Sequence, residues 1–131
     1  MTHKFKREPE SGLILVNIEI DEKYDLKMIL DTGATNTTID SNALYLLGYD
    51  LQDNLGTVQI ETANGIIETE LFEVNSFSSL GLTRQKFQLQ IYDFLAHGIF
   101  SNYSGLLGLD FLEGTKFCID TVQNTITLTK P

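Results

Sequence analysis

Apolar and polar residues alternate along most of the chain, and the alternation predicts strands. In 13–20, Ile14, Val16, Ile18 and Ile20 fall on one side and Asn17 and Glu19 on the other, the period of two that marks a half-buried strand. Asp21-Glu22-Lys23 makes a turn, and 24–30 repeats the pattern with Tyr24, Leu26, Met28 and Leu30 aligned. The two strands form a hairpin that delivers Asp31 at its end. Thr37-Thr38-Ile39 is β-prone. Asp40 or Ser41 then caps a short helix through Leu47, stopped by Gly48, with Leu44, Leu47 and Leu51 turned inward.

The second half reads the same way. Two β-prone runs, 57–63 and 66–74, flank Asn64-Gly65. Asn-Gly between such runs predicts a tight hairpin, because both residues tolerate positive φ. A loop or bend is expected over 76–82. Phe87, Leu89 and Ile91 alternate with Gln88, Gln90 and Tyr92 in a further strand. Leu106-Leu107 reads as a short buried strand, 109–113 as one helical turn ended by Gly114, and Ile126 and Leu128 as the inward face of a last strand. Many short strands with turn signals predict an all-β, barrel-like domain. The polar, charged stretch 1–12 is expected to be a flexible arm, leaving 13–131 as one domain. The alternative for the arm is a strand that joins a partner subunit, which would also shelter Phe5.

The densest chemistry lies at 28–35, Met28-Ile29-Leu30-Asp31-Thr32-Gly33-Ala34-Thr35. An acid directly follows apolar strand residues, and a carboxylate at the edge of a core is costly to ionise unless something stabilises it. Such tension is usual where carboxylates do chemistry. Thr32 supplies a hydroxyl, and Gly33 is expected to permit a sharp turn with positive φ and close approach of a substrate to the backbone.

Leu30-Asp31-Thr32-Gly33-Ala34-Thr35 resembles the active-site motif of the aspartic peptidases. Leu106-Leu107-Gly108-Leu109-Asp110-Phe111-Leu112 is similar to the two-hydrophobics-then-glycine signature near the end of that fold, and Thr62-Ala63-Asn64-Gly65 to its flap hairpin. The three stand in family order at roughly family spacing, from about residue 13 to 128. The resemblance is closest to the single-domain, retroviral-type branch, the retropepsins, and their cellular and bacterial relatives.

That resemblance implies an all-β, closed barrel-like acid-protease (retropepsin) fold with one or two short helices. It implies an aspartic endopeptidase with Asp31 catalytic, Thr32, Gly33 and Ala34 supporting the loop, and Asn64, Gly65 and Ile66 forming the flap. Asn36, Thr38 and Leu106 would line substrate pockets, as would the rest of 101–106. One Asp-Thr-Gly per chain implies a homodimer acting on a peptide or protein substrate, with no cofactor and no metal. The family's two carboxylates share a proton. Asp110 would cap the Phe111-Leu112 turn and brace the active loop. The chain departs from a plain retroviral pattern in a longer linker over 72–83, the absence of tryptophan and its two prolines. A retained fold used as a binding or dimerisation module without turnover is the rival reading.

Composition narrows the partners. The 131 residues carry 9 basic and 18 acidic side chains, a formal charge of −9. An acidic surface repels phosphate backbones and anionic lipid, so neither nucleic acid nor membrane is an expected partner. Residues 1–11 have no apolar signal core, no run approaches a bilayer span, and Cys118 is the only cysteine. These features suit a cytoplasmic protein. His3 and His97 stand far apart with no ligand spacing around them, so a zinc site is not expected. Cys118 reads as a small packing residue, and Glu61, Glu68, Glu70 and Glu73 as a solvated hairpin face.

Overall fold

The structure is a computed structural model and describes residues 1–63, 65–99 and 102–130. Its strands, in chain order, are β1 (Thr2–Lys4), β2 (Lys6–Arg7), β3 (Ile14–Ile20), β4 (Tyr24–Leu30), β5 (Thr38–Asp40), β6 (Thr57–Thr62), β7 (Gly65–Ser79), β8 (Leu82–Tyr92), β9 (Gly105–Leu107), β10 (Lys116–Asp120) and β11 (Thr125–Thr129). Two short helices, α1 (Ser41–Leu46) and α2 (Leu109–Leu112), and a 3-10 turn at Leu95–His97 complete the chain.

The main sheet runs β2-β3-β4-β9-β5-β8-β7-β6, and an added β3–β7 pairing closes it into a ring of six strands: β3, β4, β9, β5, β8 and β7. Closure pairs each of the six ring strands on both sides. It rests on Ile18, Glu19 and Ile20 facing Ser79, Ser78 and Phe77. Ile18, Ile20, Met28, Ile39, Leu89 and Leu107 are buried inside, beside a cluster of Phe77, Phe87 and Phe111 whose ring centroids lie 5.0 to 5.9 Å apart. The fold is the closed acid-protease barrel that the sequence resemblance implied, with its two short helices.

Two expectations are corrected. The loop expected over 76–82 is instead strand on both sides of a tight turn at Leu80-Gly81, where φ is 54° and 76°. The polar serines suggested a loop, but they form the seam of the barrel. Ser79 Oγ donates to the Asn17 carbonyl at 2.7 Å, and the Ser76 N–H donates to Asp21 Oδ1 at 3.0 Å. Residues 1–12, expected to be a free arm, are largely paired. β1 joins β11 and β10 in a three-stranded sheet, and β2 lies on β3. Phe5, 6% exposed, drops into the core between these two strands. Burying one aromatic outweighs the solubility of the lysines around it.

Elsewhere local chemistry sets the boundaries. Asp40 accepts the Asn42 N–H at 3.1 Å and so caps α1, Leu44 is its buried residue, and Gly48 ends the segment with φ 96°. Tyr49 and Leu51 pack on the core just beyond. The Tyr49 hydroxyl donates to Asp21 Oδ2 at 2.6 Å, tying this segment to the β3–β4 turn and the seam. Burial first, then the hydrogen bond and charge of Asp21, push the Tyr49 phenol up from its usual range. A raised folded pKa means the contribution is whole below about pH 10, where an unfolded tyrosine titrates, and is lost as pH climbs past it. Tyr49→Phe therefore costs about 1–2 kcal/mol at neutral pH. The gap to the parent narrows above about pH 10, which urea midpoints at the two pH values will show.

Candidate active site

β4 carries the apolar run Met28-Ile29-Leu30 into the barrel wall and ends at Asp31. The Asp31 N–H is held by the Leu107 carbonyl at 2.9 Å, extending the parallel β4–β9 pairing one residue further. The chain then turns back, with Ala34 N–H on the Asp31 carbonyl at 3.1 Å. Asp31 is half-buried, and its Oδ1 accepts the Gly33 N–H at 3.0 Å. Among the described residues Oδ2 takes no hydrogen bond from the chain. Thr32 and Gly33 are exposed and Ala34 is half-buried.

Gly33 does not adopt positive φ. The expectation of a left-handed turn there is corrected. A Cβ there would stand 3.3 Å from Asp31 Oδ1, close enough that the carboxylate would have to shift by a few tenths of an ångström.

The loop is anchored from below by the second motif. Thr37 is fully buried. Its N–H lies 3.0 Å from both oxygens of Asp110, and its hydroxyl donates to Asp110 Oδ1 at 2.6 Å. Thr37 Oγ1 in turn accepts the Gly108 N–H at 3.0 Å. The Leu109 and Asp110 N–H groups donate to the Ala34 and Thr35 carbonyls at 2.8 and 3.1 Å. A Cβ on Gly108 would meet the Asn36 and Ala34 backbone at 2.7 to 2.9 Å, so only glycine lets the two segments lie this close. Asp110 also accepts the Phe111 N–H at 2.8 Å from within the first turn of α2, but the N-cap position is Gly108 with no side-chain cap bond, so of the two roles read from sequence the structure shows the bracing one. The far end of α2 is held by Arg84, whose guanidinium donates to the Phe111 carbonyl at 3.0 and 2.8 Å and to the Glu113 carbonyl. Asp110→Ala strands a buried N–H and a buried hydroxyl of Thr37. The expected cost is about 3 kcal/mol in a urea titration, with Asp110→Asn losing less because one acceptor oxygen remains.

Beside the loop lies a cleft of about 460 Å³. Gly33, Ala34, Asn36 and Thr38 form one wall and Leu106 closes it. The β6–β7 hairpin overhangs, with the cross-strand pair Ile60 and Ile67 facing in. Phe94, Ile99 and Tyr103 complete the rim. The turn carrying Phe94 is fixed by Asp93, whose carboxyl lies below its usual range because it accepts the Ala96 N–H and the Asn42 amide. Gly65, with φ 118°, pairs with Thr62 near the hairpin tip, and Ile66 is 68% exposed. Asn64 and Ser101, both expected at the site, lie outside the described residues.

The structure thus gathers Asp31, Thr32, Gly33 and Ala34 in one loop beside a cleft that Asn36, Thr38 and Leu106 line. Three contributors escaped sequence reasoning. Thr37 carries no mark in a single sequence that pairs it with Asp110. Gln90 and Thr69 also line the cleft, although alternation placed Gln90 on the polar side of its strand. Among the described residues no group of three or more His, Cys, Asp or Glu side chains is placed to hold a metal, and no helix is long and apolar enough to cross a membrane.

A carboxylate at a strand end, with one oxygen held by the N–H of Gly33, thus stands in a closed barrel beside a cleft that the β6–β7 hairpin overhangs. Comparison with known proteins agrees. A family model described as aspartyl protease matches residues 16–111. The chain belongs to the aspartyl protease family. A search of curated proteins gives no match. Among solved structures, a retropepsin-like aspartic protease from Rickettsia conorii superposes with a TM-score of 0.67 at 21% identity. The match covers 99% of this chain and 90% of that one, and it speaks for the fold.

Proposed function

We propose that the chain is an aspartic endopeptidase that works as a homodimer, with one Asp31 from each copy forming the catalytic pair. One observation carries this reading. Asp31 stands half-buried at the head of the loop whose Gly33 and Ala34 line the cleft, with one oxygen held by the Gly33 N–H and the other taking no hydrogen bond among the described residues, while Asp110, the other motif acid, is consumed by Thr37. One carboxylate cannot act as base and acid at once. A two-fold axis through the loop supplies the second as an isologous contact, and the exposed Thr32 is free to brace it.

In this arrangement the pair holds one proton, because two carboxylates in contact resist double ionisation. The ionised member takes a proton from water as its oxygen attacks the scissile carbonyl carbon. The protonated member gives its proton to the leaving nitrogen as the C–N bond breaks. The pair ends with one proton again, so it is ready for the next substrate. The peptide lies extended under the hairpin, which excludes water from the reacting atoms. Incubation with a mixed peptide library from about pH 4 to about pH 7 tests this, paired with solution mass across concentration. Cut products from a species of twice the chain mass are expected. A stable dimer that cuts nothing at any pH contradicts the reading and favours a silent binding module.

A further inference from the structure

Two polar side chains, Gln90 and Thr69, lie on the strands that floor the cleft, beneath Ala34, Ile60, Ile67 and Leu106. β-Pairing sets Leu106 against Thr38, Thr38 against Gln90 and Gln90 against Leu71, so one row of side chains crosses β9, β5, β8 and β7 on a single face. Residues paired across strands share a face, and so do residues two apart on one strand. Thr69 therefore stands on this face too. Gln90 is 8% exposed and Thr69 4%. Among the described residues the Gln90 side-chain amide has no hydrogen-bond partner, while its backbone N–H is satisfied by the Thr37 carbonyl at 3.0 Å. Thr69 Oγ1 is wholly buried and likewise unpartnered.

The Gln90 amide has no partner within the chain and its tip still reaches the cleft surface, so any side chain that covers it must replace the water it would otherwise bond or leave it unpaired. An unpartnered amide at the cleft surface beside a buried unpartnered hydroxyl, on the face that floors one cleft, is a built recognition element. We propose that Gln90, supported by Thr69, selects a substrate side chain that ends in a carboxamide, glutamine or asparagine, for this cleft. A carboxamide offers a donor and an acceptor side by side, which match the acceptor and donor of Gln90 in a two-bond pair. The stem of the incoming side chain lies against Ala34, Ile60, Ile67 and Leu106. An aliphatic side chain fills the same walls but leaves the amide orphaned, and a site built for hydrogen bonds rejects such a substrate strongly. A carboxylate brings charge into an apolar pocket on a chain of net charge −9. A lysine gains only Glu61, which lines the cleft but is exposed and screened by solvent.

This inference rests on the peptidase reading for its cleavage arm only. Peptides carrying Gln, Leu or Lys in turn at each position around the cut are digested by the wild-type chain and by Gln90→Met, which keeps length and removes the amide. In parallel, the same peptides are titrated into protein labelled so that the Gln90 side-chain NH₂ is seen by NMR. The expected result is a preference of about tenfold or more in kcat/KM for Gln over Leu at one position. Gln90→Met abolishes that preference, and the NH₂ resonance shifts with the Gln peptide only. Cleavage without that preference, a preference that survives Gln90→Met, or selection of Lys overturns the inference and leaves the peptidase reading standing. Absence of cleavage removes the peptidase reading alone. The NMR arm then decides, a shift and tighter binding for the Gln peptide upholding the inference and their absence overturning it. The thermal midpoint of Gln90→Met is measured alongside, and a preference lost at an unchanged midpoint cannot come from unfolding.

Discussion

Asp31→Asn is expected to abolish peptide hydrolysis, by at least about a thousandfold in kcat, while leaving fold and dimer in place. The substitution is nearly isosteric. The amide oxygen still accepts the Gly33 N–H that Asp31 Oδ1 accepts at 3.0 Å, and the backbone tie from Asp31 N–H to the Leu107 carbonyl is untouched. An amide neither takes a proton from water nor returns one to the leaving nitrogen, so both proton transfers fail together. The thermal midpoint should move little, because Asp31 is half-buried and holds no other chain segment through its carboxylate. Residual cleavage at the wild-type rate would falsify the assignment of Asp31.

Gly105→Ala is expected to be the most damaging single methyl in the chain. β9 is three residues long and lies between β4 and β5, parallel to the one and antiparallel to the other. A Cβ at 105 would stand 2.1 Å from the Thr38 carbonyl oxygen, 2.8 Å from the Met28 terminal methyl and 2.9 Å from the Ile39 Cα. The methionine end can swing away, but the two backbone atoms can yield only by separating β5 from β9. Such overpacking costs about 3 kcal/mol or more. The damage reaches the site, since the next two residues are Leu106, which lines the cleft, and Leu107, whose carbonyl holds Asp31. A denaturant titration should show the midpoint collapse, and any folded remainder should have lost turnover out of proportion to its amount.

The strands leading to the Asp31-Thr32-Gly33 loop were legible because alternation and turn chemistry agree there, from Ile14 to Leu30. Asn64-Gly65 marked the hairpin for the same reason. Ser76 and Ser79 misled because composition describes a residue's chemistry and not its partner: the same hydroxyl suits a loop or a seam where β7 meets β3. Phe5 shows the converse. Its neighbours are charged, and only closure of the barrel creates the slot that draws β1 and β2 onto the body. At the site, the positive φ expected of Gly33 is not adopted, because the turn after Asp31 closes without a left-handed residue there. Gln90 was hidden by the assumption that one face of each strand meets water. In a closed barrel roofed by a hairpin, the other face is covered as well, so a polar residue on it faces a cleft.

The central claim is that one Asp31 from each of two copies makes the active centre. It is tested most directly by co-refolding wild-type and Asp31→Asn chains in varied ratio at constant total concentration and measuring cleavage. If both acids are required, activity follows the square of the wild-type fraction, and an equal mixture keeps about a quarter of full activity. Activity proportional to that fraction, about half for the equal mixture, means that one Asp31 suffices and contradicts the account.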